Sequence, residues 1–311
     1  MTGLSRPSSH MTTARAGSVT VMTVCLRVSP DQDPQLVSVD PDLPQVSVLD
    51  LGVTRGDGIF EVLTVVDGRP QAVGPHLRRL ANSAAMLDLE TPDPVLVERA
   101  VREAAARQHA GTGARELLVK IVVTRGVEGA EPPSSTCWVL AFPSADHTRE
   151  RTEGVDVITL ERGYPHDIAA RAPWLLAGAK TLSYAVNRSV LREAHRRGAD
   201  DVLFVSSDGY LLEGPSSSLI VRLGRRIWTP SAAQGVLRGT TQGSAFEALA
   251  ALGFATGEAL LRPADLEGAD ALWLASSSRL LAPIRSLDGC PAPVDRAITA
   301  AVNEALLART E

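Results

Sequence analysis

A chain of 311 residues with 44% hydrophobic content is long enough for two domains, each with its own core. A net charge of −5 and a pI near 5.7 leave no basic footprint for nucleic acid, so a small-molecule partner is expected. The three cysteines, Cys25, Cys137 and Cys290, lie far apart without CxxC or Cys/His spacing, which excludes a disulfide framework and a zinc or other metal site and suits a reducing cytoplasm.

Residues 1–22 are rich in Ser, Thr, Gly and Arg and hold no apolar run of the length a signal peptide or membrane span needs. They read as a disordered extension, with Met11 and Met22 as alternative starts. Strands are then expected at 35–39 and 58–66, the second closed by the turn Asp67-Gly68. Helical spacing of apolar residues follows over 76–89, and Thr91, Asp93 and Pro94 open a helix through about 108. Strands at 115–124 and 136–142 complete a small α+β domain over 23–145. The polar stretch 146–153 has neither periodicity and reads as a linker. Beyond it, 154–311 reads as a larger domain: strand 155–160, a helix from about Leu182 to Arg197 stopped by Gly198, and strands at 201–206, 210–213, 218–221 and 226–229. A helix from Thr240, a strand at 271–275 and a last helix from Val294 close the chain.

Only two lysines, Lys120 and Lys180, stand against 29 arginines. A retained ammonium suggests chemistry that a permanently protonated guanidinium cannot perform. Lys120, inside the apolar run Leu117–Val123, reads as a chance survivor. Lys180 follows the mostly small-residue run 176–179 and is placed at the mouth of a helix. Partial desolvation there would lower its pKa toward that of a nucleophile and base, although a lysine at a helix end is ordinarily just solvated.

Glu213 leaves an apolar segment into the turn Gly214-Pro215-Ser216-Ser217-Ser218. It is either a strand-end acid facing water or a carboxylate able to hold a ring nitrogen cationic. Glycines and hydroxyls before and at Thr240 and Thr241 open a helix, and Ser276-Ser277-Ser278 ends a strand. Each is a cap or turn taken alone, and together they make a phosphate site. His76 and Arg79 share one helical face, and a guanidinium is the usual bidentate partner of a phosphate dianion.

Taken in order, Arg55-Gly-Asp-Gly-Ile-Phe-Glu61, His76-Leu-Arg-Arg-Leu80, Thr124-Arg-Gly126, Lys180-Thr-Leu-Ser-Tyr184, Glu213-Gly-Pro-Ser-Ser-Ser218, Leu237-Arg-Gly-Thr-Thr241 and Ser276-Ser-Ser278 resemble the class IV (fold type IV) pyridoxal-phosphate enzymes. The resemblance spans about 35–290. It implies an α/β (α+β) chain with a small N-terminal domain, a larger C-terminal pseudo-barrel domain and a homodimer. It further implies pyridoxal 5′-phosphate as cofactor, with Lys180 as the Schiff-base lysine and Glu213 as partner of the pyridine nitrogen. Arg79, Thr240, Thr241 and Ser277 would hold the phosphate.

Three activities share this machinery: branched-chain aminotransferase, D-amino-acid aminotransferase and 4-amino-4-deoxychorismate lyase. The Arg-x-His pair typical of the D-amino-acid enzymes is missing from Val127–Glu131, and Phe60 stands where those enzymes use Tyr. Val62 and Leu63 follow Glu61, where branched-chain enzymes carry Gly and Arg. The longer blocks 179–187 and 209–215 are closest to actinobacterial proteins described as lyases or class IV aminotransferases. The resemblance therefore implies a lyase that releases pyruvate and 4-aminobenzoate for folate synthesis. A transaminase acting on a D-amino acid or a branched-chain amino acid with 2-oxoglutarate, or a bifunctional enzyme, is the alternative. Arg188, Arg238 and Arg279 are candidates for the substrate carboxylates.

Overall fold

Two sheets organise the chain in the computed structural model, which describes residues 19–25, 35–131 and 134–309. The first half contains strands β1 (Thr20–Cys25) and β2 (Gln35–Val39), helix α1 (Leu51–Thr54), strands β3 (Gly58–Val66) and β4 (Arg69–Pro70), helices α2 (Val73–Met86) and α3 (Pro94–Thr112), and strands β5 (Glu116–Thr124) and β6 (Thr136–Pro143). Its sheet is antiparallel throughout, in the order β2-β1-β6-β5-β3-β4. One sequence expectation is corrected here. Residues 20–22, counted as extension, belong to β1 and pair with 139–141 of β6. Residues 1–18 lie outside the described residues.

Alternation along the strands separates the two faces of this sheet. Ile59, Leu63 and Val65 of β3 and Leu117, Val119, Ile121 and Val123 of β5 pack with Leu80, Ala84, Val97, Val101 and Ala104 of the two long helices. The opposite face carries Phe60, Val62, Lys120, Val122 and Leu140. Asp93 caps α3 by accepting from Val95 N, with Pro94 as its first residue, as the Thr-Pro-Asp-Pro run foretells.

The second half runs α4 (Thr148–Thr152), β7 (Val155–Glu161), α5 (Ile168–Arg171), α6 (Ala185–Arg196), β8 (Asp201–Val205), β9 (Ser218–Leu223), β10 (Arg226–Pro230), α7 (Thr240–Ala251), β11 (Ala255–Ala259), β12 (Ala271–Ser276), β13 (Leu280–Leu287), β14 (Cys290–Pro291) and α8 (Arg296–Leu307). Its sheet has the order β11-β10-β9-β12-β13-β7-β8, with parallel pairs at β10/β11, β13/β7 and β7/β8. Val155, Val157, Leu203, Leu219, Val221, Leu272, Leu274 and Ile284 form the interior. Alternate residues of β9, β12 and β13, including Ile220 and Trp273, face α7 and α8.

The strand expected at 210–213 does not form. Leu212 N donates to Phe204 O beside β8, while Leu211 N donates to Leu261 O just past β11. The segment therefore bridges the two ends of the sheet and closes it into a pseudo-barrel. Extended residues shared between two edges make single bridges, so alternation alone overstated the pairing.

Arg151 ties the halves together. Its guanidinium donates both to Glu116 at the start of β5, at 2.9 and 2.7 Å, and to the carbonyls of Ser278 and Arg279 beyond β12.

Candidate active site

The outer edge of β3 is open over its first half, because β4 reaches only Val65 and Val66. The segment carrying Lys180 fills it. Phe60 N donates to Lys180 O at 3.0 Å, Leu182 N donates to Gly58 O at 2.8 Å, and Ile59 bridges Thr181. Lys180 thus sits on an extended segment docked to a strand edge, and not at the mouth of a helix as its sequence context suggested; α6 begins only at Ala185. Left-handed backbone at Leu176 and Gly178 turns the chain onto that edge. Lys180 N donates to Ser83 Oγ of α2, and its Nζ lies 4.5 Å from the centroid of the Phe60 ring. Burial, helped by the charge of Arg79, brings this amine down to about 8, so a neutral fraction exists near physiological pH.

Glu213 follows the bridging segment and is largely buried. Among the described residues its carboxylate accepts one hydrogen bond, from Leu237 N at 3.1 Å. Burial pushes it up to about 7 against the opposing effects of that N–H and of Lys180, Arg162 and Arg79. Among the described residues no cation is in contact with it. Tyr184 Oη and Asn187 Nδ2 both donate to Pro215 O, at 2.5 and 2.6 Å, and so lash the segment after Lys180 to the turn after Glu213. The ring of Tyr184 also stands edge-on to Phe60, with centroids 5.4 Å apart. Neither role was visible in the sequence.

The phosphate candidates are joined through a residue that sequence reasoning passed over. Glu61 is fully buried on β3 and receives a fork from Arg79, Nε and Nη2 each at 2.7 Å. It also pairs at 2.7 Å with His76 Nδ1. Burial by itself would raise the Glu61 carboxyl, but the Arg79 and His76 hydrogen bonds outweigh this and hold it at about 2. Burial lowers His76 and so favours the neutral ring, in which Nδ1–H donates to Glu61 and Nε2 accepts the Thr240 hydroxyl at 3.1 Å. Arg79 Nη1 donates to Arg238 O at 2.9 Å, directly before Gly239, which caps the twelve-residue α7. Thr240 and buried Thr241 open that helix. A Cβ at Gly239 would stand 2.3 Å from Ser218 Oγ and 3.0 Å from Gln242 Cβ, so any larger residue there makes its neighbours shift.

Ser277 lies in the turn between β12 and β13, where its carbonyl accepts from Thr64 Oγ1 of β3 and the neighbouring carbonyls take the Arg151 contacts. Arg279 is committed to buried Asp201 by an ion pair. Arg188 and Arg238 make no side-chain ion pair among the described residues.

Three observations fit this arrangement to pyridoxal phosphate. Glu213 is a buried acid with no cation in contact among the described residues. Ser217 Oγ, in the turn after it, is buried with no hydrogen-bond partner. The first N–H groups of α7 open beside the Arg79 guanidinium, where an anion is favoured.

Residues 58–287 match the family Amino-transferase class IV, and the chain belongs to it. It is accordingly a pyridoxal-phosphate-dependent enzyme acting on small amino or keto acids. The chain is 43% identical over 258 residues, 81% of its length and 89% of the relative's, to a bifunctional aminodeoxychorismate lyase / D-amino acid transaminase of Mycobacterium tuberculosis. Its fold is similar to that of a fold IV transaminase from Curtobacterium pusillum, with 48% identity, a TM-score of 0.89, and 94% and 98% of the two chains covered. It is also similar to a hypothetical aminotransferase from Mycobacterium tuberculosis. The PLP-bound form of that protein has a TM-score of 0.84 at 40% identity, covering 93% of this chain and 97% of that one. The form with alpha-ketoglutarate and PMP bound has a TM-score of 0.85 at 40% identity, covering 93% and 99%. No described helix is long and apolar enough to cross a membrane.

Proposed function

We propose that the enzyme is a 4-amino-4-deoxychorismate lyase that releases pyruvate and 4-aminobenzoate, with D-amino-acid transamination as a second activity of the same site. The observation that carries the assignment of roles is a buried amine and a buried carboxyl near enough for each to feel the other's charge, with the segment after Lys180 tied to the turn after Glu213 through Tyr184 and Asn187. The choice of reaction is supported by the bifunctional relative and by the missing Arg-x-His pair in Val127–Glu131.

Bound pyridoxal phosphate supplies the electron sink. Lys180 would hold the cofactor, and its Nζ would accept the C4 proton of the substrate. Its lowered pKa suits it to accept a proton at neutral pH, a contribution on the order of 10²–10⁴-fold in rate. The ether C–O bond would then break with its electron pair going to oxygen, the departing enolpyruvate would take up the proton held on Lys180 Nζ to become pyruvate, and the ring would become aromatic as 4-aminobenzoate. Glu213 would accept a hydrogen bond from the pyridine N–H and keep that nitrogen protonated. Arg79, oriented by Glu61, and the α7 terminus with Thr240, Thr241 and Ser277 would take the phosphate.

The transaminase reading is favoured by one specific observation, the relative that binds alpha-ketoglutarate with PMP. A homodimer is the expected unit: Trp174, Leu175 and Val186 flank the Lys180 segment with 74%, 54% and 52% of their surface exposed, a face suited to a second copy. Folate supply in the cytoplasm follows from the lyase reading. Purified enzyme given aminodeoxychorismate, and separately D-alanine with 2-oxoglutarate, tests it. Formation of 4-aminobenzoate and pyruvate in the first reaction is expected, and their absence ends the lyase assignment.

A further inference from the structure

The antiparallel pairing that docks the Lys180 segment onto β3 stops at the lysine itself. Phe60 N donates to Lys180 O, and in a regular ladder the opposed residue returns the bond, which here would run from Lys180 N to Phe60 O. The Lys180 N–H goes elsewhere, to Ser83 Oγ of α2 at 3.1 Å. The ladder ends there, and the lysine backbone is clamped between a strand through its carbonyl and a helix through its amide.

Ser83 has 2% of its surface exposed, on the helix whose Leu80, Ala84 and Leu87 enter the core. A buried hydroxyl is costly unless it is bonded, and among the described residues its one partner is the Lys180 N–H. Packing by itself would be met by alanine, as it is at Ala84. Ser83 also stands one helical turn past Arg79, on the same face of α2. Four residues rise about 6 Å along a helix axis, so one rigid element presents the guanidinium assigned to the phosphate and the hydroxyl that takes the lysine at a fixed spacing.

We infer that Ser83 is a positioning residue: by drawing the Lys180 N–H out of the ladder it fixes where the lysine side chain leaves the backbone, and α2 thereby sets the reach from the phosphate seat to the amine. This rests on the reading of Lys180 as the lysine that holds the cofactor. In that step neutral Nζ adds to the aldehyde carbon, a C=N bond forms, and the aldehyde oxygen leaves with the two amine protons as water. A reaction between two groups that are each held depends on their alignment. Ser83 acts on it through the Lys180 backbone and not on the reacting atoms.

The test compares wild type, Ser83→Ala and Ser83→Cys, the last keeping nearly the size of the side chain with a weaker acceptor. Each full-length protein is loaded with the same total pyridoxal phosphate and equilibrated with graded pyridoxamine phosphate, which has the same ring and phosphate but no aldehyde. Absorbance of the imine reads how much remains. Both variants are expected to reach half displacement at roughly 2- to 10-fold less pyridoxamine phosphate than wild type, the net worth of one neutral hydrogen bond. Half displacement at or above the wild-type concentration overturns the inference: either the contact sets nothing, or Ser83 supports the pocket as a whole and its loss weakens both ligands alike. Borohydride reduction of the wild-type imine followed by peptide mass spectrometry checks the underlying reading separately. An adduct at a residue other than Lys180 ends both, whereas an adduct at Lys180 with variants that exchange like wild type ends the inference alone.

Discussion

Glu61→Gln is the substitution most exposed to quantitative test, because it deletes a charge while keeping the side chain's shape. Glu61 has no exposed surface and binds Arg79 through two hydrogen bonds and His76 through a third. A carboxyl that titrates at about 2 in the fold against 4.5 when free contributes about 3 kcal/mol. Breaking a buried pair from one side costs about 3–5 kcal/mol by general experience, which agrees. Since the folded value is depressed, the contribution is fully present above pH 4.5 and is lost as pH falls toward 2. Urea unfolding of wild type and Glu61→Gln should therefore differ by about 3 kcal/mol at pH 7 and by about 1 kcal/mol at pH 3. A difference under about 1 kcal/mol at pH 7, or one that does not shrink in acid, would refute the reasoning.

Borohydride reduction followed by peptide mass spectrometry is expected to fix the cofactor on Lys180, and an adduct on Lys120, or none at all, would overturn that assignment. In the apoenzyme Glu213 titrates near 7 against 4.5 when free, so the folded state holds the extra proton in that window and stability falls as pH rises through it. Glu213→Gln should remove that slope, and identical pH profiles for the two apoproteins would contradict a buried carboxylate without a cation. Arg151→Met cuts the link among Glu116 and the Ser278 and Arg279 carbonyls. It should cost about 1–3 kcal/mol and weaken cofactor binding through the displaced Ser277 turn. Cofactor affinity equal to wild type in a fluorescence titration would show that the turn does not depend on it.

Local signals in the sequence located most of the elements because each is written in a short stretch. Gly58–Val66 is β-branched and ends at Asp67-Gly68, and Asp93-Pro94 opens α3 with a cap that needs no distant partner. Weak local signals hid others. β11, Ala255–Ala259, is short and poor in β-branched residues, and β13 contains Pro283, which reads as a break. β1 was lost in a polar extension whose pairing with β6 no local pattern announces.

The order and chemistry of the site residues were fixed along the chain itself: an amine at 180, an acid at 213, a guanidinium at 79, and hydroxyls at 240, 241 and 277. Whether these meet was decided by tertiary structure, because each contact joins residues far apart in sequence. The open edge of β3 receives Lys180, Glu61 orients Arg79 from beneath, and Tyr184 with Asn187 ties one loop to the other. Lys120 shows the difference most plainly. A lysine in an apolar run looks incidental until the sheet places it over the same ring as its counterpart.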